Sequence, residues 1–361
     1  MNGDDAPREV ARQLLDRIGR HGDFALTGLP GGRNNRVWRI RADETDFLFK
    51  RYYWAENDPR DRMGHEWDFL SYLHGIGSSA APQALAADRE SRCALIEFIH
   101  GATPSLSEIA EPEILSAADF FAEMNAARFS DAGRALPVAS EACFSLEEHV
   151  ETTARRVGRL EQIVLDGDVA RAAREFASES LLPLWNRVRE RIIEMAPQNG
   201  GMKRKLLPEE RCVSPSDFGF HNSLRPPAGG LRFVDFEYSG WDDPAKTIAD
   251  FANQPDMLLD SHLGDIFRAR AIALFPDADS LAARLRLLTP LYQIKWACIC
   301  LNEFLPAGSA RRAFTGLKTD EGLTRLAGHL ERARVMALRA AKSLDFPGFK
   351  SNVAIHPKPP L

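Results

Sequence analysis

The chain has 361 residues, 44% hydrophobic and 27% charged, with a formal net charge of −5. This is the balance of an ordinary globular protein long enough for two lobes, each with its own core. The acidic balance excludes the basic footprint of a nucleic-acid binder, and no apolar run approaches the ~20 residues that cross a bilayer.

The start, Met1-Asn2-Gly3-Asp4-Asp5, lacks the basic region and apolar run of a signal peptide, so a cytoplasmic location is expected. From about 6 to 20, Val10, Leu14, Leu15 and Ile18 recur at helical spacing. Short strands follow: Phe24-Ala25-Leu26, the alternating Arg36–Arg41, and Phe47–Tyr52 after the polar turn 43–46. A helix is expected from about Arg60 to Leu73, stopped by His74-Gly75, and then two more strands at Pro82–Leu85 and Cys93–Ile99. Five strands and a helix, followed by a mostly helical remainder, predict an α+β protein with a small antiparallel lobe and a larger helical lobe. One helix is expected over 111–130, two or three arginine-studded helices over 146–195, and an almost wholly helical run over 260–343. The boundaries expected are 1–97 and 98–346, with an extended or disordered tail over 347–361. The five cysteines, Cys93, Cys143, Cys212, Cys298 and Cys300, are scattered and odd in number, poor material for a disulfide framework or a zinc site. Cys298 and Cys300 lie in an apolar helical stretch and are expected as buried thiols.

The densest chemistry lies in Ser214-Pro215-Ser216-Asp217-Phe218-Gly219-Phe220-His221-Asn222. Asp217 and Asn222 are five apart, and Asp235 follows thirteen residues later in Phe233-Val234-Asp235-Phe236-Glu237. An Asp and an Asn at this spacing, then an Asp closing a short apolar strand, is how phosphoryl-transfer enzymes build a base and metal site. Asp217 has the chemistry to take the proton of an attacking hydroxyl, while Asn222 and Asp235 offer the hard oxygens magnesium prefers. An isolated Asp would cap a turn, but three polar positions at this spacing argue for a site. Gly219 is expected to supply positive φ where the backbone wraps the carboxylate. Glu237 alternates with Asp235, and is either near the metal site or a surface acid.

Lys50 ends the third strand, and Glu66 lies in the helix that follows, in phase with Leu70 and Leu73. A strand lysine fixed by a helix glutamate can hold the α and β phosphates of a nucleotide. The turn Gly28–Arg36 offers Gly31, Gly32 and Asn34 for close backbone approach to phosphates, although any hairpin uses glycines. No GxxxxGK[ST] run exists, which excludes a Walker-type phosphate loop. In Trp241-Asp242-Asp243-Pro244, Asp242 or Asp243 is placed to receive a cationic or hydroxylated substrate, with helix N-capping the favoured use of Asp243. Asp250, in Ile248-Ala249-Asp250-Phe251, is expected to be buried and to brace the catalytic loop. The aromatics of Tyr292–Trp296 are expected in the core.

These residues together resemble the aminoglycoside phosphotransferase and choline kinase group, which has a bilobal protein-kinase-like fold. The likeness runs from the glycine turn through Lys50, Glu66, the linker Glu97-Phe98-Ile99-His100-Gly101, the Asp217 loop and Asp235-Phe236-Glu237 to Gly240–Pro244 and Asp250-Phe251-Ala252. It implies a small-molecule kinase dependent on ATP, with GTP not excluded, and on magnesium. Asp217 would be the base, Asn222 and Asp235 the metal ligands, and Lys50 the phosphate holder, with the backbone at Glu97, Phe98 and Ile99 receiving adenine. The family's loops usually have His and Gly in the two positions that are Pro215 and Ser216 here, which puts loop geometry in question. The acceptor site would lie largely in 146–210 and 255–330. An acidic wall for a polycation is absent there, and the arginines point to a neutral or anionic acceptor such as a sugar or a phosphorylated metabolite. An inactive nucleotide-binding relative and an aminoglycoside-modifying kinase are the alternatives. The expected partner is a small-molecule hydroxyl acceptor, with no nucleic acid or membrane, and the oligomeric state is left open.

Overall fold

The computed structural model describes residues 5–29, 35–54, 56, 58, 60–163, 166–306 and 319–344. In chain order the elements are α1 (Asp5–Arg17), β1 (Phe24–Gly28), β2 (Arg36–Ala42), β3 (Thr45–Arg51), α2 (Arg62–Gly75), β4 (Ala84–Asp88) and β5 (Cys93–Glu97). There follow α3 (Glu111–Ala126), α4 (Asp131–Arg134), α5 (Leu146–Arg159), α6 (Asp168–Phe176), α7 (Leu182–Met195), β6 (Cys212–Ser214), β7 (Ser223–Leu224), β8 (Arg232–Phe233) and β9 (Gly240–Asp242). Four helices complete the set: α8 (Pro244–Ala252), α9 (Ser261–Ile272), α10 (Ala278–Leu301) and α11 (Thr319–Ser343). They belong to two compact units, one drawn from residues 1–142, 211–242 and 260–274, the other from 143–210, 243–259 and 275–361.

In the first unit, β1 to β5 form one antiparallel sheet in the order β1-β2-β3-β5-β4. The period of two sorts β3 into two faces. Phe47 and Phe49 join Ile40, Leu95 and the α1 residues Ala11, Leu14 and Leu15 in a core, which leaves Leu48 and Lys50 on the opposite face. Ala42 pairs with Thr45, so the β2–β3 loop is Asp43-Glu44, both at positive φ, as two-residue hairpin turns require.

The remainder of this unit packs around aromatics. Phe120 of α3 stacks on Phe233 at 4.8 Å, and Phe218 meets Phe233 and Phe267 edge-on. Both flanks of the Asp217–Asp235 region are thereby seated in a rigid core. β6 pairs with β9, and β7 with β8. At Gly240 (φ 147°) a Cβ would lie 2.3 Å from Pro137 O, so only glycine lets Trp241 N donate to that carbonyl at 2.9 Å.

The second unit is helical around α10, which is buried on most of its circumference and packs against α5, α7, α8 and α11. Three of its buried polar side chains pair with neighbouring groups. Arg284 grips both oxygens of Asp243 at 3.0 Å, Lys295 bonds Asp250 at 2.7 Å and Gln293 donates to Asn253 at 3.0 Å. Tyr292 and Trp296 are buried, the core placement expected of them, and all five cysteines are buried thiols outside any disulfide.

Several local expectations shift. The 111–130 helix stops at Ala126, because Arg128 turns back to donate to Asn125 O at 2.8 Å and Ser130 caps α4. The fourth strand starts at Ala84, not Pro82. Asp235 does not close a strand, since β8 ends at Phe233. The tail from 347 and the turn residues Gly31, Gly32 and Asn34 lie outside the described residues.

Candidate active site

The first unit gathers Lys50, Glu66 and Asp235 around one ammonium group. Lys50 Nζ donates to Glu66 Oε2 at 2.7 Å and to Asp235 Oδ1 at 2.6 Å. Both oxygens of Glu66 are engaged, since Tyr52 OH donates to Oε2 at 2.6 Å and Phe236 N to Oε1 at 3.1 Å. The Lys50 and Glu66 side chains are 5% and 3% exposed, whereas that of Asp235 is 38% exposed. The pair is thus a buried anchor with one carboxylate facing solvent. Burial pulls the Lys50 ammonium toward neutrality, but Asp235, Glu66 and Glu237 outweigh it and hold its pKa above the ordinary lysine value. Burial, then the Glu66 charge, pushes the Tyr52 hydroxyl well above its ordinary range, so it stays a donor.

Asp235 adopts φ 68°, the left-handed region that costs most side chains but that Asp tolerates. The β7–β8 hairpin puts Asn222 next to it, with Val234 N donating to Asn222 O at 2.9 Å. Asn222 Nδ2 donates to Asp217 O at 3.0 Å, so its amide nitrogen is spent inside the loop and its carbonyl oxygen is the end turned elsewhere. Asp217 is half-buried, with His221 Nε2 3.2 Å from its Oδ1. The positive φ expected of Gly219 falls instead on Ser216 (φ 68°), while Gly219 is extended at 171°. The lead-in is a tight turn in which Ser216 N donates to Ser214 Oγ at 3.0 Å and Asp217 N to Pro215 O at 3.0 Å.

A model of the phosphotransferase enzyme family matches residues 25–288. The chain belongs to that family. Among solved structures it is similar to a choline kinase from Cryptosporidium parvum (14% identity, TM-score 0.56, 94% of this chain and 98% of that one). The choline kinase LicA from Streptococcus pneumoniae gives 15% identity and TM-score 0.55, over 93% of this chain and 99% of that one. A spectinomycin phosphotransferase in complex with ADP and spectinomycin gives 10% identity and TM-score 0.62, over 92% and 98%. These likenesses establish the protein-kinase-like fold. A search of curated proteins finds no match.

Within this phosphotransferase fold the other expected residues divide. Glu237 is not a surface acid: it is 3% exposed, accepts from Asn35 Nδ2 at 2.6 Å and lies 3.9 Å from Arg62 Nε. Glu97 ends β5, where its carboxylate meets Gln83 N and Arg232, both at 3.0 Å. Phe98 lies under Arg39, and Ile99 is buried. Trp241 donates to Gly133 O at 3.0 Å and stacks on Phe129. Asp242 is fully buried in β9, so it is no exposed carboxylate for a substrate. Asp243 caps α8 by accepting from Ala245 N at 2.7 Å, as expected. Asp250 is buried, but the hydrogen bond it accepts comes from the Lys295 side chain, with Lys246 at 3.7 Å, in place of the expected backbone amides. Among the described residues no group of three or more His, Cys, Asp or Glu forms a metal cluster. Sequence reading missed Tyr52, Asn35, His65 and Arg62. Of these only Tyr52 had a signal, two residues beyond Lys50 on the same face of an extended chain.

Proposed function

We propose that this phosphotransferase moves the γ-phosphoryl group of ATP to a hydroxyl of a small metabolite. The observation that carries the reading is the Lys50–Glu66–Asp235 constellation beside a loop presenting Asp217 and Asn222. Lys50, kept charged and fixed by Glu66 and Tyr52, binds the α and β phosphates. The backbone of Glu97, Phe98 and Ile99 receives the adenine. Asp217 orients the acceptor hydroxyl and takes its proton as the new O–P bond forms and the bond between the γ-phosphorus and the β–γ bridging oxygen breaks. Asn222 and Asp235 would hold magnesium. One carboxylate and one amide carbonyl are hard oxygen donors that suit an ion completing its shell with phosphates and water, not a protein cage. When bound, the ion neutralises charge between the β and γ phosphates.

For the acceptor, a neutral or anionic compound such as a sugar or a phosphorylated metabolite is the first class to test, on the arginines of 146–210, of which Arg171, Arg187, Arg191 and Arg204 are paired with neighbouring acids. The similar structures carry the names of choline kinases and a spectinomycin phosphotransferase, so amino alcohols and aminoglycosides belong in the same screen. The test of the chemistry is Asp217→Asn. Phosphate transfer should fall by at least two to three orders of magnitude, the scale of lost general-base catalysis, while ATP still raises thermal stability. Turnover equal to wild type would remove Asp217 from its role.

A further inference from the structure

Asn35 is the last residue before β2, which Leu29 N, just past β1, meets by donating to Val37 O at 3.0 Å. Its side chain works in two directions. Oδ1 accepts from Tyr53 N at 3.2 Å, just past the end of β3, and Nδ2 donates to Glu237 Oε2 at 2.6 Å. The two partners of this last bond are 202 residues apart in sequence. Glu237 lies two residues after Asp235, and Phe236 between them is held by Glu66 through its backbone N–H. The segment carrying Asp235 is therefore gripped from two sides, by α2 through Glu66 and by the start of β2 through Asn35. Glu237 is buried, and a buried carboxylate that loses a donor pulls strongly on its surroundings.

We propose that Asn35 is a positioning residue that ties the β2–β3 ribbon to the Asp235 segment by way of Glu237. The inference rests on the functional reading above and deepens it. Asn35 touches no reacting atom. It fixes the spacing between β3, which carries Lys50, and the segment that carries Asp235.

The experiment is a double-mutant cycle with two readouts, steady-state kinetics in ATP and nucleotide affinity from thermal shift without acceptor. Asn35→Ala should raise the KM for ATP and weaken nucleotide binding roughly tenfold, the effect of losing one hydrogen bond to a charged group. Asn35→Asp should do more harm, because it sets a second carboxylate against Glu237 while still accepting from Tyr53 N. Adding Glu237→Gln restores a donor–acceptor pair, with Gln Nε2 donating to the new carboxylate. The double variant N35D/E237Q should therefore bind nucleotide at least fivefold more tightly than the product of the two single effects. Single effects that simply multiply would overturn the proposal. So would an Asn35→Ala variant that lowers only the melting temperature, with KM, kcat and nucleotide affinity unchanged well below it, because that is the signature of a mere hairpin staple. Wild-type protein that binds no nucleotide would sink the functional reading itself, a result distinct from an uncoupled cycle in an enzyme that Asp217→Asn inactivates.

Discussion

At the residue scale the site is governed by one ammonium among carboxylates. Lys50 and Glu66 are both nearly inaccessible, so neither can lose its partner without stranding a charge. Lys50→Met should therefore cost stability as well as nucleotide binding, about 3–5 kcal/mol by the usual penalty for breaking a buried pair, measurable by urea unfolding. Glu66→Gln keeps the shape of the group and leaves Lys50 paired with Asp235, so its cost should be smaller. Asp235 adds a backbone constraint. Its φ of 68° suits Asn as well as Asp, but not Ala. Both Asp235→Asn and Asp235→Ala should lose activity, yet the alanine variant should be less stable than the asparagine variant by about 1 kcal/mol. Equal stability of the two would mean the backbone relaxes on substitution.

At the element scale, α2 is fastened to the chain after Asp235 along its length. Glu66 accepts from Phe236 N, His65 Nδ1 lies 2.6 Å from Ser239 O, Ser239 Oγ donates to His65 O at 3.2 Å, and Phe69 packs on Phe236 at 4.8 Å. The helix that positions the lysine partner is thus held in place by the segment that carries Asp235. In the second unit α5, α8 and α10 meet at a buried charge network. His149 Nε2 is 3.1 Å from Asp243 Oδ2 and its Nδ1 is 2.5 Å from Tyr292 OH, an arrangement in which an imidazolium donates at both nitrogens. Burial works against that charge, but Cys143 and Asp243 raise the His149 pKa from 6.5 to about 9. Burial likewise opposes ionised Asp243, yet Arg284 and then His149 lower it to about 2. The raised histidine contributes stability that is complete below pH 6.5 and lost as pH rises through 9. The depressed aspartate contributes stability that is present above pH 3.8 and lost as pH falls through 2. Unfolding free energy should accordingly decline between pH 6.5 and 9 by up to about 3 kcal/mol, and His149→Gln should flatten that slope while lowering stability at pH 6.

At the scale of the whole molecule, what was legible in the sequence was what is local. Alternation in 36–41 and 47–52 marked β2 and β3, and the Asp217–Asn222–Asp235 spacing marked the loop that the β7–β8 hairpin brings together. What was hidden depends on contacts between distant segments. The burial of Glu237 comes from Asn35 and Arg62, the partners of Asp250 come from another turn of α8 and from α10, and the positive φ falls on Ser216, inside the turn in which Asp217 N donates to Pro215 O, and not on Gly219. The proposed catalytic constellation, Lys50 and Glu66 together with the Asp217–Asp235 stretch, lies within one compact unit although its members are far apart in sequence. Nucleotide binding should therefore register there by itself, before any acceptor is present. Saturating ATP with magnesium, at about 100 times Kd, should stabilise that unit by about 2.7 kcal/mol. Amide exchange should slow over 47–51, 62–70 and 217–237 without a matching change across α10. A shift that appears only when both ATP and an acceptor are supplied would show instead that the site assembles on the acceptor, and protection confined to α10 would place the nucleotide elsewhere. Repeating the exchange experiment with each candidate acceptor added to the nucleotide complex then separates substrates from bystanders, since a true acceptor should extend protection into 146–210 or 255–306.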